Sequence, residues 1–496
     1  MAVKVDTQKE IIFGSSDPNI SRVISKKKKD GELRKLAPRI YTTNLIDSPA
    51  NIVRRNLIEI LAYRYPNALI SHRSAKEMRP TSTGDFFLTN STTRRVTDLP
   101  GIILNFVKGP KATAHDIPFM GMHISGEHRY MLENMQLSRK SGDESRVLPI
   151  SVIENKLEQL LLTGGEERLN QYRDELREVA NELGMADEFS KINNIISALL
   201  STHDARVLST DSAKARASGN PFDANRVGLF EILFDTIKDR YFVIRNNRNT
   251  DEDSFRLFSF FESYFSNYIE GTEFDIEEAK EIVDSGIPMP RRDEDSHDIL
   301  GTFKILSNRT EMRRVPTSPE ELFAILSHRH TILLEGRPHM NPGVFKMRNN
   351  RAGQTEFVDY QLVKGTLSQG FKYYSALTDP FARAIFMMFM ISEVHPFNDG
   401  NGRIARVMMN AEFVRADQSR IIVPTVFRED YILALRKLTR HKDPMAYINV
   451  MTKLHQFSDN LYGSDFTELK NYLAACNAYE EPSQAKLQII DRSIRH

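Results

Sequence analysis

One apolar helix and the polar loop after it constrain this chain more than any other feature. The stretch ALTDPFARAIFMMFMISEV, residues 376–394, has a proline that fits the first turn of a helix and is then apolar on nearly all sides. We expect such a helix to be the buried centre of a helical bundle. Pro396 cannot continue it without disturbing it, so the chain turns there. The buried helix therefore delivers His395 to a loop.

That loop reads HPFNDGNGRIAR, residues 395–406. Its two glycines permit backbone angles closed to other residues and let amide N–H groups approach a ligand. The segment RIARVMMNAEFV restores the helical period, so the loop leads into the positive end of a second helix. Arg403 and Arg406 lie three apart and face the same way, and guanidinium groups match phosphate oxygens. The pattern predicts a polyphosphate site.

His395 and Asp399 add reactive groups to this loop. A nucleotide polyphosphate usually carries Mg²⁺, which prefers one or two carboxylates plus phosphate oxygens, and Asp399 is the only carboxylate in the loop. A histidine there can take a proton from an attacking hydroxyl. Singly, such a histidine is usually a helix cap and an Asp before Gly a turn former. Together they favour transfer of a phosphorus-containing group onto an alcohol.

The same twelve residues resemble the active-site motif of the Fic family, H-P-F-x-D/E-G-N-G-R-x-x-R, at every defined position. The resemblance implies a helical core and transfer of AMP from ATP to a Ser, Thr or Tyr hydroxyl of a protein. It implies that His395 is the general base and Asp399 the Mg²⁺ ligand. The residues that it implies for binding the ATP phosphates are Gly400, Asn401, Gly402, Arg403 and Arg406. The related Doc branch, which phosphorylates, has a lysine in place of Gly402, so adenylylation is favoured.

The segment GVFKMRNNRAGQTEFVDYQLV, residues 343–363, resembles the Fic flap, a hairpin that aligns the target segment. An exposed strand edge can bind an extended peptide through main-chain hydrogen bonds. The predicted docking residues are Thr355, Glu356, Phe357 and Val358. The alternative is an ordinary surface hairpin.

An internal inhibitory element is predicted at SNYIEG, residues 266–271, which resembles the Fic inhibitory motif S/T-x-x-x-E-G/N. Ser266 and Glu270 are four apart on a helix expected to end at Gly271, and the Glu270 carboxylate could pair with Arg406. ATP would then bind unproductively. TILLEG, residues 331–336, fits the same short pattern through Glu335, but we favour Glu270 because SNYIEG precedes the core. The simplest alternative is a surface glutamate at a helix end.

The N-terminal region resembles, more weakly, the winged helix-turn-helix that opens AbiEi-type antitoxins. The similar segment is GSSDPNISRVISKKKKDGELRKLAPRIYTTNLI, a helix, a turn and a hairpin. The resemblance implies contacts with DNA phosphates, which position a protein without specifying sequence. The residues that could make them are Lys26, Lys27, Lys28, Lys29, Arg34, Lys35 and Arg39. A run of lysines is otherwise simply a solvated helix face.

A chain of 496 residues is too long for one ordinary core. The patterns predict a mainly α fold with a helical Fic core and a β-hairpin flap, after an α+β N-terminal region. The predicted segments are a winged helix (1–50), an AbiEi-like α+β domain (51–150), a helical connector ending in a linker at 206–225 (151–225), the inhibitory-helix region (226–299), the core (300–460) and a C-terminal helix and tail (461–496).

Composition limits the location and the partners. Lys plus Arg number 67 and Asp plus Glu 66, so the net charge of +1 predicts no general attraction to nucleic acid or anionic membrane. The single cysteine, Cys476, excludes an intrachain disulfide framework and fits a reducing compartment. No apolar run approaches the roughly 20 residues that span a bilayer. We therefore expect a cytoplasmic, soluble protein.

The sequence leaves three functions open. The first is a protein adenylyltransferase restrained by Glu270, with ATP and Mg²⁺ as substrate and cofactor and a protein hydroxyl as target. The second is a DNA-binding regulator, or a self-contained toxin–antitoxin protein, whose core modifies itself. The third is removal of AMP from a target by the same site, with Glu270 aligning a water molecule.

Overall fold

The chain forms two compact units in a computed structural model that describes residues 9–200, 205–353 and 355–492. The units are Met1–Ser218 and Gly219–His496. They divide inside the stretch 206–225, where the sequence predicts a linker, although Asp211–Ala217 of that stretch form a helix. Helices predominate in the described ranges and strands are few, which confirms a mainly α fold. Within those ranges, no helix combines the length and the apolar character of a membrane span.

The first unit opens with a small sheet and one helix. Its elements are β1 (Ile11–Phe13), α1 (Pro18–Lys29), β2 (Arg34–Ala37) and β3 (Ile40–Thr42). The strands pair antiparallel in the order β1-β3-β2. Helix α1 starts where the Asp17 side chain accepts a hydrogen bond from the backbone N–H of Asn19, with Pro18 in its first turn. Its four lysines occupy the last turn, where positive charge favours the helix end.

A mixed sheet with flanking helices follows. The elements are α2 (Pro49–Arg55), α3 (Leu57–Arg64), β4 (Leu69–Ile70), α4 (His72–Glu77), β5 (Asp85–Asn90), β6 (Arg94–Leu99), β7 (Ile102–Lys108), β8 (Ile117–Phe119), β9 (Met122–Ile124) and α5 (Glu127–Glu133). The strand order is β6-β7-β5-β4-β9-β8, with β5 parallel to β7 and β4 parallel to β9. The first unit then ends in helices α6 (Ile150–Leu183), α7 (Ala186–Leu199) and α8 (Asp211–Ala217). Helix α6 is interrupted at Gly165, whose φ of 69° is left-handed.

In its described residues, the second unit is mostly helical, with one short hairpin and an isolated β-bridge between Asn246 and Gln418. Its helices are α9 (Ala224–Ile237), α10 (Glu252–Ile269), α11 (Ile276–Ser285), α12 (Asp293–Leu306), α13 (Arg309–Met312), α14 (Pro319–Leu333), α15 (Val363–Ala376), α16 (Pro380–Val394), α17 (Asn401–Arg415), α18 (Arg428–His441), α19 (Pro444–Ser458) and α20 (Phe466–Ala475). The hairpin strands are β10 (Arg351–Ala352) and β11 (Thr355–Glu356), which pair antiparallel.

Helix α16 lies at the centre of the second unit, as its apolar pattern predicts. Every side chain from Ile385 to Ile391 is 0% exposed. Truncating one of them, as in Phe389→Ala, should cost about 3–5 kcal/mol because it leaves a cavity in a close-packed core. Helix α17 packs along α16, and α10 and α12 pack against α17. This packing brings the last turn of α10 to the first turn of α17.

Candidate active site

His395 caps the C-terminal end of α16 in a left-handed conformation. Its φ is 48°, and its backbone N–H donates to the Ile391 carbonyl at 2.9 Å. The ring Nδ1 lies 2.5 Å from the Ser392 carbonyl oxygen. Because a carbonyl only accepts, Nδ1 carries the hydrogen and Nε2 carries the lone pair. Burial lowers the pKa of His395 to about 4, so the imidazole is neutral at pH 7.

The loop after His395 is closed by its own residues. The Asn401 side chain accepts from Phe397 N at 2.9 Å and donates to Phe397 O at 2.8 Å. Gly400 has a φ of 71° and is the N-cap of α17, so the turn needs a residue that tolerates this angle. A Cβ on Gly402 would lie 2.2 Å from Glu270 Oε1. The two glycines thus serve different needs, the first a turn and the second a close approach.

Asp399 is the partly exposed carboxylate of this loop. Its Oδ1 accepts from Gly400 N at 2.7 Å, and its Oδ2 lies 3.7 Å from Arg403 Nη2. The side chain is 39% exposed. Across the described ranges, no group of three His, Cys, Asp or Glu side chains could hold a metal ion alone. A single exposed carboxylate instead fits an Mg²⁺ ion whose other ligands come from substrate phosphates.

Arg403 is 3% exposed and is held by a carboxylate that the sequence did not single out. Its Nη1 lies 2.8 Å from Asp298 Oδ2 on α12, and it donates to Asn267 Oδ1 at 3.3 Å. Asp298 also binds Arg337 at 2.7 Å. The Arg403 Nε is buried and finds no hydrogen-bond partner among the residues that the structure describes. A buried donor of this kind fits an incoming anion.

Arg406 is held by the end of α10. Its Nε donates to Ser266 Oγ at 2.9 Å, and its Nη2 donates to Ser266 O at 2.8 Å and to Glu270 Oε1 at 2.6 Å. Burial acts to lower the pKa of Arg406, but the facing Glu270 carboxylate raises it above its ordinary value. Helix α10 ends at Ile269 with Glu270 as its cap, two residues before the predicted end at Gly271, and Gly271 follows with a φ of 93°.

Glu335, the other match to the inhibitory pattern, lies elsewhere. Its side chain is 67% exposed and sits 3.3 Å from Lys304 Nζ on the surface. It follows α14, after the helix has ended at Leu333. The structure therefore brings Glu270, and not Glu335, to Arg406.

The flap contacts His395. It comprises residues 343–363, of which position 354 lies outside the described ranges. The Phe357 ring stacks on the imidazole with 3.4 Å between centroids. Thr355 Oγ1 accepts from Arg440 at 3.0 Å, and the Glu356 carbonyl accepts from Arg226 at 2.6 Å. Val358 is 1% exposed, so its side chain anchors the hairpin end inside the unit.

The basic residues of the first unit do not all face solvent. Lys26, Lys28, Lys29, Lys35 and Arg39 are exposed. Lys27 is half-buried and pairs with Glu32 at 2.5 Å. Arg34 is also half-buried and donates to the Asn44 and Asp47 carbonyls at 3.1 and 2.5 Å. The Arg34 side chain of β2 therefore stabilises the loop that follows β3.

Sequence reasoning missed several residues that surround the loop. His330 Nε2 lies 3.0 Å from the Asp399 carbonyl, and its Nδ1 accepts from Gly343 N at 2.9 Å. Asn350 Nδ2 donates to Phe397 O at 2.9 Å. These residues and Asp298 lie outside any local pattern, so only the tertiary contacts identify them.

Comparison with known proteins places this site in a family. The Fic/DOC family model matches residues 318–412, which contain the loop. The chain is 30% identical to protein adenylyltransferase fic-1 of Caenorhabditis elegans over 115 residues, 23% of this chain and 22% of the relative. It is 28% identical to a Fido domain-containing protein of Dictyostelium discoideum over 107 residues, 21% of this chain and 75% of the relative.

A solved structure of Fic-1 from C. elegans, residues 134–508, aligns with a TM-score of 0.36 and 17% identity, over 66% of this chain and 92% of that chain. The chain spans about a fifth of the length of the curated nematode relative. The matched region coincides with α14 to α17, the hairpin and the loop between them. Residues 318–412 of the chain therefore match a domain of the Fic/DOC family.

Proposed function

We propose that this protein is a protein adenylyltransferase that transfers AMP from ATP to a Ser, Thr or Tyr hydroxyl of a protein. One observation carries the proposal. A neutral imidazole, a carboxylate and two buried arginines converge on the N-terminal turn of one helix, within residues 395–406. Curated relatives of the matched region are named protein adenylyltransferases.

The proposed reaction begins with proton removal by His395. The hydrogen on Nδ1 is held by the Ser392 carbonyl, which leaves the Nε2 lone pair to accept the proton of a target hydroxyl. The hydroxyl oxygen forms a bond to the α-phosphorus as the bond from that phosphorus to the β-phosphate bridging oxygen breaks. Pyrophosphate leaves, and AMP remains as a phosphodiester on the target. A pKa of about 4 keeps His395 unprotonated, and so able to accept a proton, throughout the physiological pH range.

ATP is proposed to lie at the N-terminal end of α17. The first N–H groups of any helix lack partners within the helix, so those of residues 401–403 suit the α-phosphate region. Arg403 and Arg406 are proposed to bind the β- and γ-phosphates. Asp399 would hold Mg²⁺ together with phosphate oxygens, and the ion would offset the negative charge of the triphosphate.

We propose that Glu270 restrains this activity. Its carboxylate occupies Arg406, the arginine assigned to the γ-phosphate, at 2.6 Å. Ser266 holds the same guanidinium from its hydroxyl and carbonyl oxygens. ATP must therefore displace Glu270 to bind with its γ-phosphate on Arg406.

The flap is proposed to receive the target segment along residues 355–358. Extended pairing with main-chain groups would bring a hydroxyl to His395 with little dependence on sequence. The Glu356 carbonyl is already bound by Arg226, and the Phe357 N–H donates to the Asn350 backbone carbonyl, so two main-chain groups of this segment are engaged before a target arrives.

DNA binding by the first unit is a second candidate function. The exposed lysines at the end of α1 support it, and the inward contacts of Arg34 argue against that residue as a phosphate ligand. A gel shift of the full chain with duplex DNA across a salt titration tests it. Binding that weakens steeply with salt supports phosphate contacts, and no shift at low salt removes the idea.

Labelled ATP separates the enzyme hypotheses. Glu270→Gly protein incubated with α-labelled ATP, Mg²⁺ and a cell lysate should label other proteins, and His395→Ala in the same background should abolish the label. Label confined to the chain itself favours the self-modifying alternative. Loss of label from a target that was labelled beforehand favours AMP removal.

A further inference from the structure

Lys346, near the start of the flap, is a buried lysine beside the His395 loop. It is 3% exposed. Its Nζ donates to Asn350 Oδ1 at 2.7 Å and to the Val394 carbonyl at 3.4 Å. Its backbone N–H donates to the Pro396 carbonyl at 2.8 Å. Burial lowers the pKa of Lys346 to about 8 because it disfavours the charged ammonium group.

Asn350 extends these contacts across the loop. Its side-chain Nδ2 donates to the Phe397 carbonyl at 2.9 Å, and its backbone carbonyl accepts from Phe357 N at 3.3 Å. Lys346 and Asn350 together thus reach the carbonyls of Val394, Pro396 and Phe397. Those residues flank His395 on both sides.

His395 needs such support because its backbone is in an unfavourable region. A φ of 48° is uncommon for a residue with a side chain and persists where neighbouring contacts fix it. The same contacts connect the loop to the flap, and Phe357 of the flap lies on the imidazole. The hydrogen bonds of Lys346 and Asn350 therefore contact both the backbone around His395 and the flap.

We propose that Lys346 and Asn350 are positioning residues that fasten the flap to residues 394–397 and so set His395 against the hydroxyl of a flap-bound target. This inference rests on the proposed adenylyl transfer. Neither side chain is assigned to ATP, whose proposed ligands lie on α17. Their loss should slow transfer and leave nucleotide binding intact.

The test uses the full chain in the Glu270→Gly background. Lys346→Met removes the donors and keeps most of the side-chain volume, and Asn350→Ala is a second, less buried change. Lys372→Met, on an exposed lysine of α15, is the matched control. We expect both flap variants to lower kcat for labelling from α-labelled ATP at least tenfold, with ATP affinity by calorimetry within twofold of the parent. Lys346→Arg should recover most of the rate, and Lys372→Met should not change it.

Two results would overturn the proposal. One is labelling within twofold of the parent in both Lys346→Met and Asn350→Ala. The other is a parallel loss of ATP affinity, which would assign these residues to the nucleotide site or to general folding. If Lys346→Met does not fold, the outcome with Asn350→Ala decides.

A readout without catalysis separates this inference from the proposed function. The ring proton of His395, assigned by comparison with His395→Ala, can be titrated by NMR in the same variants. Burial, and to a smaller extent the Lys346 charge, lower the pKa of His395 to about 4. Asn350→Ala removes no charge, so a rise of the His395 pKa above about 4 in that variant would report a displaced, more exposed imidazole. If the parent transfers no label and Asn350→Ala still shows this rise, the proposed function is refuted and the positioning role is retained. An unchanged His395 titration would refute the positioning role itself.

Discussion

Replacing Glu270 with glycine should switch the enzyme on. The change removes the carboxylate that lies 2.6 Å from Arg406 Nη2. It leaves in place the two hydrogen bonds that Arg406 donates to Ser266. Arg406 is 5% exposed, but the Glu270 side chain is 34% exposed, so water can partly replace the lost carboxylate. A hydrogen bond to a charged group contributes about 1.5–3 kcal/mol. At about 1.4 kcal/mol per tenfold change, releasing Arg406 for the γ-phosphate should raise the rate roughly 10- to 100-fold.

The assay is the initial rate of labelling from α-labelled ATP, on the chain itself and on added lysate proteins. Glu335→Gly is a matched control, because Glu335 fits the same sequence pattern but pairs with Lys304 at the surface. We expect Glu335→Gly to label at the wild-type rate. Derepression by Glu335→Gly together with no change in Glu270→Gly would refute the assignment of the inhibitory residue.

Three further predictions concern the same unit. His395→Ala should reduce labelling at least about 100-fold while ATP binding by calorimetry persists, because only proton transfer is lost. Buried His330 and His455 have pKa values of about 4 in the folded protein, against about 6.5 in the unfolded chain. Between pH 7 and pH 5 only the unfolded chain protonates them, so the free energy of unfolding from urea titration should fall by roughly 2 kcal/mol for each histidine. The variant His455→Gln should show a smaller fall. Gly402→Ala should lower the melting temperature in the wild type and not in Glu270→Gly, because the added Cβ would lie 2.2 Å from Glu270 Oε1.

The parts of the fold that could be predicted are those with a local signal. Helix α16 follows from an unbroken apolar surface, and its end follows from Pro396. The start of α17 follows from the return of helical spacing after Gly402. Helix α8 was not predicted, because the Ser, Gly and Asn residues around it suggest a linker. The signal that could have identified it is Thr210, whose side chain caps the N-terminus of the helix.

The remaining site residues depend on contacts between distant segments. His330 precedes Asp399 by 69 residues, and their hydrogen bond exists only because α14 packs beside the loop. Asp298 reaches Arg403 from α12, and its sequence context is an ordinary helix. Such partners carry no spacing rule, because tertiary packing, and not the local period, brings them together.

The most direct test of adenylyl transfer compares two labels on one variant. Glu270→Gly protein is incubated with Mg²⁺ and either α-labelled or γ-labelled ATP, and protein-bound label is counted in each case, with His395→Ala in the same background as the blank. Transfer of AMP predicts that the α label is retained on protein and that the γ label leaves with pyrophosphate. Retention of the γ label without the α label would mean phosphoryl transfer and would contradict the proposed activity.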